Sequence, residues 1–316
     1  MIRFVTFAVK TQLNVHDLNN EAVAGNVTDI RIMEFLDENG ERKEAPAVSG
    51  RMLKHWHYEG MRQLILNGEY GDVPLCAGCK VGEPIRPGEI VNGNLKQVAK
   101  GEDEVIRKCS ICDIHGYLIA QGAEGEARGI SVRRTSRVMF SWLMPVLDRE
   151  TTTKQVIHTR VSQIRERTEG EQAAQMIFNK SYASGIYAFV SALDVDRIGL
   201  VELKLSESNP YAVNDEKRKK RIKITIEAYR YMISGKLGAS LSHAIPHTDP
   251  VEVLVAYSES GPLPFPVSPI YSDYLEKTIG LMPEGTQFLY WGEGTPSKVT
   301  KKDTIDEIFK ELMSKI

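Results

Sequence analysis

Two cysteine pairs carry the clearest chemistry in this sequence. Cys76-x-x-Cys79 and Cys109-x-x-Cys112 hold all four cysteines of the chain, with 29 residues between the two pairs. Two such knuckles suit tetrahedral zinc, and a closed four-thiolate shell leaves no position open for a substrate. The expected role is structural. Disulfides stay open as the alternative, since cytosolic proteins of hyperthermophiles use them. His115 is expected beside the site or at the surface rather than as a ligand. A second pattern imitates another zinc chemistry: His57-x-Glu59, then Pro74-Leu75-Cys76-x-x-Cys79, nearly spells the zinc deaminase signature. Leu75 separates the proline from the cysteine, and Cys109 and Cys112 would go unused, so a deaminase ranks low. No P-loop, serine-nucleophile or His-Glu-x-x-His motif occurs.

Charge is the second chemical signal. Forty basic and 42 acidic residues leave a net charge of −2, so attraction to a polyanion must come from local segregation. From Arg128 to Arg167, nine Arg or Lys residues meet three acidic ones. The centre is Arg133-Arg134-Thr135-Ser136-Arg137, and His158 and Arg160 follow. Cations and hydroxyls on one short segment suit phosphate oxygens. Asn26, Thr28 and Arg31 form a second piece able to bond phosphate. Ser49-Gly50-Arg51, at a helix start, would add free N–H groups and a positive dipole end, with Lys54 and His55 on the same basic side. For each stretch alone, a solvated surface is the plainer reading. The run Lys217-Arg218-Lys219-Lys220-Arg221 opposes its helix dipole and is read as a solvated face. Tyr187-Ala188-Phe189-Val190 partly matches an RNP1 strand but needs an inserted Ile186, and is read as ordinary strand.

The elements that must position these groups follow from periodicity. Ser49–Leu66 reads as a helix: Leu53, Trp56, Gly60 and Leu64 share one stripe, while Arg51, His55, Tyr58 and Arg62 share another. Ser49 caps it and Asn67-Gly68 stops it. Ile2–Thr11 reads as a central strand, and Glu38-Asn39-Gly40 as a hairpin turn between 29–36 and 41–45. Val138–Leu147 alternates. Met176–Leu193 is a long strand-like run, with a break expected at Ser184-Gly185. A capped helix (Asn214–Ile233), a strand (Val251–Ser258), a proline-rich crossing and a closing helix (Thr304–Ile316) complete the chain. Without its insertions the order is strand, helix, strand, strand, helix, strand. That is an α+β, ferredoxin-like βαββαβ plan with an antiparallel sheet, shared by RNA-recognition modules. The expected core is 1–14, 49–68, 129–147 and 172–260. The remainder divides into a loop and hairpin (15–48), a cysteine-containing insertion (69–128), a polar insertion (148–171) and a C-terminal extension (261–316). No run is long enough to span a bilayer, and the chain reads as cytoplasmic.

With these residues in hand, the chain resembles the DevR family, the guide-RNA-binding backbone subunit of archaeal, subtype I-A-like CRISPR Cascade complexes. The likeness rests on Gly25-Asn26-Val27-Thr28 with Arg31, on Pro46-Ala47-Val48-Ser49-Gly50 leading into Leu53-Lys54-His55, on Arg133–Arg137, and on the Gly235–Gly238 turn. It implies a modified RNA-recognition fold and copies stacked along one guide RNA (crRNA). It also implies partner Cascade subunits, target nucleic acid paired to the guide, and a thumb at 148–171 that kinks the RNA. A scaffold for guides of any sequence must grip backbone and leave bases free. The implied function is non-catalytic. Two alternatives stand beside it: a metal-dependent target-RNA nuclease using Asp17 or Asp29, and a nucleic-acid-responsive regulator that does not assemble.

Overall fold

A computed structural model describes residues 1–15, 18, 23–24, 27–28, 30–98, 100–119, 132–161, 175–235 and 246–316. β1 (Phe4–Asn14) is buried along nearly its whole length. β2 (Val23–Ala24) and β3 (Val27–Thr28) follow, then the hairpin of β4 (Ile32–Leu36) and β5 (Arg42–Pro46). Its turn closes as the sequence dictates. The Asp37 carboxylate accepts the Asn39 and Glu41 N–H groups at 2.9 Å each, and Gly40 takes φ +78°. α1 (Gly50–Leu66) is capped by Ser49, whose hydroxyl accepts the Met52 N–H at 3.3 Å.

The cysteine-bearing stretch folds as α2 (Ala77–Val81), a hairpin of β6 (Gly88–Val91) and β7 (Asn94–Gln97), α3 (Glu102–Lys108), α4 (Ser110–His115) and β8 (Tyr117–Ile119). β9 (Val132–Arg134) pairs with β8. The alternating stretch is two short strands, β10 (Val138–Phe140) and β11 (Met144–Pro145), not one. Between them the chain turns aside, and Leu143 bridges to Val48. β12 (Thr152–Val161) lies inside the expected polar insertion and pairs with the first half of β13 (Gln175–Asp194). The expected break at Ser184-Gly185 is absent. Gly185 pairs with Leu13, and a Cβ there would sit 3.2 Å from Thr151 Oγ1, so glycine lets the strand pass close to Thr151 without interruption. α5 (Asp215–Ile233), β14 (Thr248–Ser258), α6 (Tyr274–Leu281), β15 (Gln287–Trp291), β16 (Thr300–Lys301) and α7 (Ile305–Ser314) end the chain.

The main sheet centres on β14-β1-β13, all antiparallel, with β10, β11 and β12 along the outer edge of β13 and β15 beyond β14. Strand periodicity sorts its two faces. Val5, Phe7, Val9, Tyr187 and Phe189 pack under α1, α5 and α7, where Phe7 stacks on Tyr229 at 4.3 Å. The other face carries small side chains, Ala8, Ala188, Ala192 and Ala256. Leu263, Ile270 and Tyr274, from the proline-rich crossing and α6, cover it. Gly50 has a packing reason. A Cβ there would lie 2.5 Å from the Phe140 carbonyl oxygen and 2.7 Å from that of Ser141. The start of α1 therefore rests directly on the backbone beside β10. Among the described residues, no helix is long and apolar enough to cross a membrane.

Candidate metal centre and nucleic-acid interface

The four cysteines converge. Their sulfurs all lie within 4.8 Å of one another, with Cys76–Cys112 at 3.8 Å and Cys79–Cys112 at 3.9 Å. A tetrahedral zinc with sulfurs at about 2.3 Å requires sulfur–sulfur spacings near 3.8 Å, so the set fits the metal. The same spacings are far beyond a disulfide bond. Cys76 caps α2 and Cys109 caps α4, where its sulfur accepts the Cys112 N–H at 3.3 Å. Gly78 and Gly88 let the loop close: a Cβ on Gly78 would stand 2.0 Å from the Ile85 carbonyl oxygen, one on Gly88 2.7 Å from the same atom. Hydrogen bonds within the cluster push the Cys76 thiol down and the Cys79 and Cys112 thiols up, so the four sulfurs act as one coupled group. All four positions would be filled by sulfur, so such a zinc holds structure and offers no Lewis-acid site.

His57 and Glu59 are not part of this centre, and the deaminase arrangement is absent. His57 Nε2 lies 3.0 Å from the Thr225 carbonyl oxygen and Nδ1 lies 3.0 Å from His115 Nε2, while Glu59 pairs with Arg62. A carbonyl only accepts, so His57 carries its proton on Nε2 and takes the His115 Nε2–H at Nδ1. Burial pushes the His57 pKa down to about 3 and holds His115 well below the usual range. His115 is thus a buried partner of α1 rather than a surface residue.

The basic segment at 133–137 does not act as one patch. Arg133 and Thr135 are exposed, whereas Arg134 and Arg137 are buried; alternation along β9 separates Arg133 from Arg134, and Arg137 lies beyond the strand. Arg134 donates to the carboxylates of Asp113 and Glu102 and to the carbonyls of Asp113 and Leu200. Arg221 joins from α5, donating to Asp113 at 2.6 Å and to the Ile106 carbonyl at 2.8 Å. Arg137 stands 2.8 Å from Glu202, but its N–H groups are not aligned on the carboxylate and make no hydrogen bond. Burial, then the nearby Arg134, lowers its pKa. Ser136 bonds the Val138 carbonyl at 2.7 Å. Of the expected phosphate-contacting set, the structure thus encloses Arg134 and Arg137, with carboxylates opposing their charges. The run 217–221 is corrected: Arg218 is buried and donates to the Ile198 and Val195 carbonyls, and only its lysines match a solvated face.

Arg51, Lys54 and His55 do come together. With Tyr58, Gly82, Glu83, Pro84, Arg86 and His115 they line a cleft of about 410 Å³. Lys54 is half-buried, and burial followed by the charge of Arg86 holds its pKa down to about 8. Arg86, which sequence reasoning passed over, lies over the Tyr58 ring at 5.4 Å. Its only signal was its place in the cysteine insertion. Ser49 keeps a hydroxyl proton at the half-exposed helix start. Arg31 lies over the Trp142 ring at 5.7 Å. Thr28 stands opposite Lys180 in the β3–β13 pair, and His158 and Arg160 stand opposite Phe178 and Met176 in β12. Asn26, Asp17 and Asp29 lie outside the described residues.

Comparison with known proteins agrees with this architecture. The family described as "CRISPR-associated negative auto-regulator DevR/Csa2" matches residues 7–279, and the chain belongs to that family. A relative from Methanocaldococcus jannaschii, named "CRISPR-associated protein Cas7/Cst2/DevR", is 29% identical over 331 residues, covering 99% of this chain and 98% of the relative. One from Saccharolobus solfataricus, named "CRISPR-associated aCascade subunit Cas7/Csa2 2", is 25% identical, covering 87% of this chain and 85% of the relative. A solved chain titled "CRISPR RNA-guided surveillance complex, pre-nicking" shares the fold at a TM-score of 0.58, with 12% identity and 99% of each chain covered.

Proposed function

We propose that this chain is a non-catalytic backbone subunit of a Cascade-type complex. It binds guide RNA along the sugar–phosphate chain, and copies of it stack along that guide beside other Cascade subunits. The observation that carries this reading is the cleft lined by Arg51, Lys54, His55 and Arg86, whose cations make no ion pair with a carboxylate among the described residues. With the insertions set aside, the order strand–helix–strand–strand–helix–strand, with β1 between β13 and β14, supports the RNA-recognition plan. Those modules stack bases on an open sheet face. Here Tyr187 and Phe189 face the helices, and Leu263, Ile270 and Tyr274 cover the other face. Base stacking on the sheet is closed off, which leaves backbone grip by edge residues: Ser49, Arg51, Lys54, His55, Arg133 and Thr135. The β12–β13 hairpin serves as the thumb, with His158 and Arg160 on it.

The test is binding of unrelated single-stranded RNAs by fluorescence anisotropy across a salt series. Arg133→Ala and Arg51→Ala should weaken all sequences alike and each lower the salt slope by about one. A change in base preference argues against backbone grip. Cleavage of complementary RNA by the loaded protein with magnesium, lost in Asp29→Ala, would replace this reading with the nuclease one. Light scattering that shows no growth with RNA length would favour the non-assembling regulator.

A further inference from the structure

We propose that Arg51 and Lys54 of α1 and Arg86 of the cysteine insertion form a phosphate-binding pocket, and that zinc in the four-cysteine centre sets its grip by holding Arg86 in place. This deepens the RNA-binding reading above and rests on it for the natural ligand, a backbone phosphate.

Three observations carry it. First, the cleft gathers three cations that no carboxylate among the described residues pairs with. The neighbouring Arg62 is paired with Glu59 at 2.7 Å, and the enclosed Arg134 and Arg221 meet at Asp113. Among the described residues, Arg51, Lys54 and Arg86 have no such partner, and the one carboxylate lining the cleft, Glu83, is exposed and pairs with none of them. Like charges facing each other across a half-buried cleft repel, and a bound anion relieves that repulsion. Second, Arg86 is fixed from both ends. Its guanidinium lies over the Tyr58 ring at 5.4 Å, and its carbonyl accepts from Gln97 Nε2 at 2.6 Å. Third, the chain on either side of Arg86 is part of the metal knuckle. The Ile85 carbonyl fills the space above Gly78, between Cys76 and Cys79, and Cys76 accepts the Gly88 N–H. Loss of the metal removes the bonds that would tie the two knuckles together, and the segment they anchor is the one that presents Arg86.

The experiment uses the full chain with two probes. In the first arm, single-stranded RNA binding is followed by anisotropy over a salt series for the zinc-loaded wild type, Arg86→Ala, Arg86→Lys, Cys76→Ser, and Cys76→Ser with Arg86→Ala. Arg86→Ala should weaken binding about tenfold and lower the salt slope by about one. Arg86→Lys should recover the slope. Cys76→Ser should cost a similar factor, and adding Arg86→Ala to it should cost nothing more. Wild-type affinity and slope in Arg86→Ala would overturn the pocket while leaving RNA binding in place. A full additional tenfold loss in the double variant would overturn the zinc link. In the second arm, tripolyphosphate should protect the Lys54 amine from acylation, read by mass spectrometry, in wild type but not in Arg86→Ala. Protection without any RNA binding would keep the pocket and sink the RNA reading. Equal protection in the two proteins, or none in either, would sink the pocket itself.

Discussion

Asp113 and Arg221 stand 108 residues apart in the chain, and Asp113 Oδ2 meets Arg221 Nη1 at 2.6 Å. The same carboxylate accepts from Arg134 and from the Gly199 N–H at 3.0 Å. One enclosed acid thus joins α4 of the cysteine insertion, β9, the loop after β13 and α5. Asp113→Ala would leave two buried guanidiniums facing each other. The expected loss is about 3–5 kcal/mol, measured by denaturant unfolding. A loss below about 1 kcal/mol would mean that Glu102 and the carbonyls of Ile106 and Leu200 suffice.

Gly50→Ala separates helix propensity from packing. Alanine favours a helix by about 1 kcal/mol over glycine. The added methyl, however, would sit 2.5 Å and 2.7 Å from two backbone carbonyl oxygens, which cannot rotate away. We expect a net destabilisation of about 1–3 kcal/mol in thermal or denaturant melts. A stabilised variant would show that α1 can lift from β10.

The buried histidine pair predicts acid sensitivity. In the unfolded chain His57 titrates near 6.5, and in the fold its pKa is pushed down to about 3. A folded-state value below the unfolded one means that protons favour unfolding. Stability is complete above the unfolded pKa and falls by up to about 1.4 kcal/mol per pH unit as pH drops toward 3. His115 shifts in the same direction and steepens the loss. Imidazole NMR should show the neutral His57 tautomer in the folded protein at about pH 5. An imidazolium signal there would contradict the burial argument.

Metal removal should act locally first. Chelation is expected to abolish hydrogen-exchange protection across 76–115, lower stability by several kcal/mol, and leave α5 protected until global unfolding. Metal analysis by mass spectrometry of the purified protein should find about one zinc per chain. A metal-free protein with unchanged exchange would show that packing alone closes the knuckles.

Much of the fold was legible because local chemistry agreed with it. Ser49, Asn214 and Thr304 each cap the helix their sequence announced, and Asp37–Glu41 forms the expected turn. The cysteine spacing foretold the cluster. Periodicity also showed that β1 is buried on both faces. What sequence could not resolve was the direction of individual charges. Arg133 and Arg134 are adjacent, yet one is exposed and the other enclosed by Asp113 and Glu102, residues 21 and 32 positions away. Arg218 and Arg221 looked like part of a solvated run because their carbonyl and carboxylate partners lie on other elements. β12 looks like part of a polar insertion in the sequence because its side chains from 152 to 155 are exposed and need little apolar sequence. Nothing in the local sequence distinguishes Arg86 as a cation that meets a distant helix.

β13 belongs to two bodies at once. Its last eleven residues are zipped to β1, from Gly185 against Leu13 to Asp194 against Phe4, with Ser184 opposite Asn14, and its first ten form half of the hairpin with β12. At about 3.3 Å per residue, it is a rod on the order of 65 Å long, clamped at one end. The clamp indexes everything beyond it. A single residue inserted just before Ser184 would put the hairpin strand out of step with the clamp by one position. A two-residue insertion would preserve facing and shift the tip by about 7 Å. If regular spacing along a guide depends on that hairpin, the pitch of the assembly is written in the registration of Leu13 with Gly185.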